Sequence, residues 1–80
     1  MTLLSNTVLN YDQVLVSYEI LQTKDMLLFK PYFYHTQEGF PCIILTKKDN
    51  NWQFQGSVSK QLEDQVLEDI NCLKHLNFQF

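Results

Sequence analysis

The chain has 80 residues, 45% of them hydrophobic and 14% aromatic, with two glycines, two prolines and a net charge of −3. That length makes one small domain, residues 1–80, able to bury roughly 60–65% of its unfolded surface, and the composition argues against disorder. All six cations are lysine, so the planar fork that reads phosphate and guanine is missing, and nucleic acid is not the first expectation for a partner.

Residues 1–10 carry no basic side chain and no apolar run of signal-peptide length. Nothing nears the ~20 apolar residues of a membrane helix. Cys42 and Cys72 lie far apart in a chain without an export signal, which predicts reduced, buried thiols and a cytoplasmic location.

In chain order, the first legible strand covers residues 13–22. Val14, Val16, Tyr18 and Ile20 share one face; Leu15, Ser17, Glu19 and Leu21 share the other. The polar cluster at 22–25 marks a turn. A two-residue loop at Thr23-Lys24 sets Ile20 opposite Leu27, Tyr18 opposite Phe29 and Val14 opposite Phe33, a register rich in aromatic and β-branched pairs. The second strand, residues 26–35, has bulky groups at both parities and runs to a loop at 36–39. A third strand (41–47), a tight turn at 48–51 and a fourth strand (52–58) follow, with Leu45 opposite Phe54 and Lys47 opposite Trp52.

From Ser59, a plausible N-cap, the period becomes helical, with Leu62, Val66, Ile70, Leu73 and Leu76 on one stripe. Acids early and Lys74 and His75 late suit the helix dipole. The expected fold is α+β, a four-stranded antiparallel β-meander with one C-terminal amphipathic helix packed on one face. Pro31 conflicts with a central second strand. Either the strand order is not sequential, or a bulge turns Tyr32 and Tyr34 to the other side.

One helix covers one sheet face, which leaves the other exposed unless residues 1–10 or the Phe78–Phe80 tail fold over it. That face carries Leu15, Leu21, Leu28, Tyr32, Tyr34, Cys42 and Ile44 among Ser17, Glu19 and Lys30, more apolar than a wet sheet face should be. The reading is a small non-catalytic protein-interaction module, a homodimer or complex subunit. Its partner-binding residues are Leu15, Leu28, Lys30, Tyr32, Tyr34 and Ile44, with Lys30 and Glu19 fixing orientation. The alternative is weak single-stranded nucleic-acid binding through the tyrosines and Lys47/Lys48.

His35, Cys42, Cys72 and His75 have the chemistry of a tetrahedral zinc set. No close Cys-x-x-Cys pair anchors them, so no metal or other cofactor is expected. A Cys42–His35 nucleophile pair has no orienting third group or oxyanion hole in the sequence, the carboxylates are dispersed, and no glycine-rich phosphate loop exists. No catalytic activity is expected, and no family motif is matched residue by residue.

Overall fold

The computed structural model describes residues 1–32 and 39–76. Strands β1 (Thr2–Tyr11), β2 (Val14–Thr23), β3 (Met26–Pro31), β4 (Ile43–Lys48) and β5 (Asn51–Phe54) precede helix α1 (Lys60–His75). Each strand pairs antiparallel with the next, so the sheet is a meander in the order β1-β2-β3-β4-β5. The α+β class and the C-terminal helix agree with the sequence reading. The sheet has five strands rather than four.

The extra strand is β1, and its sequence conceals it. Register shifts between Leu3 and Ser5, a bulge that sets two residues against one and breaks the alternation. Leu3 faces Leu21 across the strands, while Leu4 packs against the core. Ser5, Asn6 and Asn10 are types that strands disfavour. The turn into β2 places Asp12 and Gln13 at φ of 49° and 69°, left-handed values that glutamine seldom takes. By contrast, the β4–β5 turn uses φ of 53° and 67° at Asp49 and Asn50, residues suited to it. Residues 2–11 therefore extend the sheet edge and do not cover a face.

The β2–β3 turn falls at Lys24-Asp25, one residue later than expected, so Ile20 pairs with Phe29 and Tyr18 with Pro31. This differs from the expected register by two residues, so every described side chain of the hairpin keeps its face. Val14 pairs with Tyr11 on the β1 side; its expected partner on the other side, Phe33, lies outside the described residues. Leu45 pairs with Phe54 and Lys47 with Trp52, as expected.

Pro31 needs neither a bulge nor a crossed strand order. Strand β3 meets β4 only from Met26 to Phe29, opposite Thr46 to Ile43. Continuing that register brings Pro31 opposite Pro41, so the ladder stops where neither strand has an N–H to give. The Tyr32 N–H donates to Ser17 O at 3.0 Å. By alternation, the Pro31 nitrogen points away from β2, toward the edge that the late start of β4 leaves open.

The core lies between one sheet face and α1. Leu9, Val16, Tyr18, Ile20, Leu27, Phe29, Ile43 and Leu45 pack against Leu62, Val66, Ile70 and Leu73. Ser59 caps the helix by accepting the Leu62 N–H at 3.3 Å. Polar contacts then fix α1 to β1. Thr7 Oγ1 donates to Asp69 Oδ2 at 2.8 Å. The Gln65 side chain accepts from the Asn10 N–H at 2.7 Å and donates to the Asn10 carbonyl at 2.9 Å. Gln65 thus bonds the outer edge of β1 as a neighbouring strand would, which shields part of that edge. Among the described residues no helix is long and apolar enough to cross a membrane.

Candidate functional site

Burying Val16, Tyr18, Ile20, Leu27 and Phe29 beneath α1 commits the intervening residues to the opposite face. The strand registers arrange that open face in rows running across the strands. One row is Leu3–Leu21–Leu28–Ile44, spanning β1 to β4. The next is Asn6–Glu19–Lys30. A third runs Val8–Ser17–Tyr32, and Asn10–Leu15 closes the far end. Leu3, Val8 and Leu15 are 52%, 55% and 68% exposed. Leu21, Leu28 and Ile44 are half-buried, since row neighbours roughly 5 Å apart shield one another.

Tyr32 is pinned across this face. Its hydroxyl donates to Asn6 Oδ1 at 2.8 Å, so the side chain reaches from the end of β3 over β2 to β1. An aromatic held in place loses little freedom when a surface closes on it. Glu19 and Lys30 sit directly opposite each other on β2 and β3. Among the described residues they form no ion pair within the chain.

The expected partner-binding set is thus partly brought together. Leu28 and Ile44 are row neighbours, and Lys30 and Tyr32 follow on the same face. Leu15 shares the face but lies about 20 Å from the leucine row, six residues along β2 from Leu21. Tyr34 lies outside the described residues. Sequence reasoning missed Leu3 and Val8, because both belong to the concealed strand.

The remaining candidates do not converge. Cys42 and Cys72 are both free and exposed, not buried as expected. Cys42 precedes β4 and lines a cleft with Ser59 and Gln61 at the start of α1, whereas Cys72 and His75 lie in the last turns of that helix. At 1.5 Å rise per residue those ends are roughly 15 Å apart or more, far beyond a shared metal. His35 lies outside the described residues, and no group of three or more His, Cys, Asp or Glu among those described could hold a metal ion. The cleft itself, about 260 Å³, has Asp12 as its one carboxylate among the described residues, beside Tyr11, Cys42 and Gln55. Lys47 lies 5.9 Å over the Trp52 ring on the helix-side parity, so it and Tyr32 occupy opposite faces of the sheet.

No protein-family model, curated protein or solved structure matches this chain. The functional reading therefore rests on the open face.

Proposed function

We propose that this chain is a non-catalytic protein-interaction module, a homodimer or complex subunit, that works by burying its open sheet face against protein. The observation that carries the reading is the apolar row Leu3–Leu21–Leu28–Ile44 on the side of the sheet opposite α1. Among the described residues, which exclude the Phe78–Phe80 tail, one helix covers one face of the sheet, and a wet face normally carries polar side chains at these positions. Four aliphatic side chains in a line are instead the centre of an interface, where fully burying each is worth about 1.5–3 kcal/mol relative to full exposure. Tyr32, Glu19 and Lys30 form the adjoining polar flank that sets orientation. Leu15 and Val8 add a second, outlying apolar contact.

Association in solution, together with retention of a partner from extract of the source cells, tests the reading. Leu28→Lys places a charge at the centre of the row and abolishes association, while Leu67→Lys, on the exposed side of α1, leaves it intact. Circular dichroism and thermal melts confirm that both variants fold. A folded Leu28→Lys protein that associates as strongly as wild type would refute the open face as the binding surface.

A further inference from the structure

The open face is self-complementary, and we infer that its partner is a second copy of this chain, packed face to face about a two-fold axis running between β2 and β3. This rests on the reading of the open face given above and names its occupant.

In a face-to-face dimer the two-fold axis lies within the interface, and each residue meets the position reflected across that axis. An axis parallel to the strands, midway between β2 and β3, exchanges the two halves of every row. Leu21 then faces Leu28 of the second copy, and Leu3 faces its Ile44. In the next row Glu19 faces Lys30 of the second copy, and Lys30 faces its Glu19. One operation therefore matches apolar against apolar and acid against base, twice over. The charges it uses are unpaired with each other within the protomer. Both sheets keep nearly parallel strands, the alignment that twisted sheets adopt when stacked.

The area suffices. Strands about 4.8 Å apart and six to ten residues long give a face of about 500–700 Å² before side-chain relief is counted, on a molecule 33 × 23 × 20 Å in extent. Stable interfaces bury roughly 800 Å² per partner, with smaller ones still specific. A different protein could match the apolar row, but nothing in its chemistry would require the acid and base to lie symmetrically about the seam of that row.

Charge exchange provides the test. Sedimentation of the purified chain from about 1 μM to about 1 mM should show a monomer–dimer equilibrium. Glu19→Lys and Lys30→Glu each set like charges against each other at both symmetric contacts and weaken the dimer about a hundredfold or more. An equimolar mixture of the two variants restores it, because each copy then meets the opposite charge. The double variant Glu19→Lys/Lys30→Glu dimerises like wild type. Recovery on mixing also excludes misfolding as the cause of the single-variant losses. A wild-type chain that stays monomeric, or a dimer that neither single variant weakens, overturns the assignment. If the chain is monomeric yet Leu28→Lys loses another protein that wild type retains, only the second-copy assignment fails. If Leu28→Lys changes no association at all, the open-face reading fails with it.

Discussion

Tyr18 offers the sharpest test of the packing that holds the sheet in this register. Its ring is fully buried in the core, and its hydroxyl donates to the Pro41 carbonyl at 2.8 Å, tying β2 to the segment that leads into β4. Tyr18→Phe keeps the ring and leaves that carbonyl without its donor, a loss of about 1–2 kcal/mol. For a domain of this size, that lowers Tm by roughly 4–8 °C per kcal/mol. The same hydroxyl is pushed up to about 12, chiefly by burial and then by Cys42 and Tyr11 nearby. Between the unfolded value near 10 and the folded value, the native chain keeps a proton that the unfolded chain has lost. Stability is thus complete below about pH 10 and falls as pH rises through the window, by about 2–3 kcal/mol at its upper end. Phenylalanine has no proton to lose, so the variant's deficit must shrink above about pH 10, while contributions common to both proteins cancel in the difference. Urea denaturation followed by Trp52 fluorescence, at about pH 7 and at steps above 10, measures the difference. A deficit that is constant across that range would show that the hydroxyl is not held as described.

Three further outcomes follow from named contacts. Gln65→Ala strips both partners from the Asn10 backbone, costs about 1–2 kcal/mol, and should speed hydrogen exchange at the Asn10 amide selectively, a change NMR would detect. Ser59→Ala removes the acceptor for the Leu62 N–H and lowers unfolding free energy by about 1 kcal/mol, whereas Ser59→Asp retains it. The Asp69 carboxyl is raised above its ordinary value, mainly by burial and against the Thr7 hydrogen bond, with Glu68 adding to the rise. An acid raised in the folded state favours folding only while protonated, so its contribution is lost as pH rises from the unfolded to the folded pKa. Asp69→Asn keeps an acceptor for Thr7, so it should raise the neutral-pH melting temperature and weaken that acidic pH dependence.

Local chemistry made most of the architecture legible. The β4–β5 hairpin was readable because Asp49 and Asn50 suit left-handed φ and strict alternation fixed Leu45 against Phe54. Helix α1 was readable from its buried stripe and its Ser59 cap. The β2–β3 turn was misplaced by one residue, yet faces survived because the resulting register difference was even. Pro31 looked like a defect only while its neighbour was taken to run alongside it. The partner strand starts at Ile43, and the proline sits past the end of the shared ladder. Strand β1 was illegible for two reasons: a bulge interrupts its period, and only Leu9 within it is fully buried. Of the candidate site, Leu28, Lys30, Tyr32 and Ile44 were found by parity alone, which needs no register. Leu3 and Val8 could not be found without recognising the strand that carries them.

That missing strand changes what the open face can bind. Without β1, the apolar row would be Leu21–Leu28–Ile44, centred on β3. A two-fold axis through that centre would set Leu28 against Leu28, but it would also set Lys30 against Lys30 in the adjoining row. Like charges placed directly opposite disfavour a contact, so a three-strand row argues for a foreign partner. Adding Leu3 moves the centre of the row to the seam between β2 and β3. There the same operation carries Glu19 onto Lys30, and the repulsive contact becomes an attractive one. The row ends at Ile44 because the backbone N–H of Gln55 pairs with the Ile44 carbonyl and presents a polar side chain at the next position. The choice between self-association and a foreign partner therefore turns on one edge strand, and on the bulge that lets Leu3 and Leu4 face opposite ways.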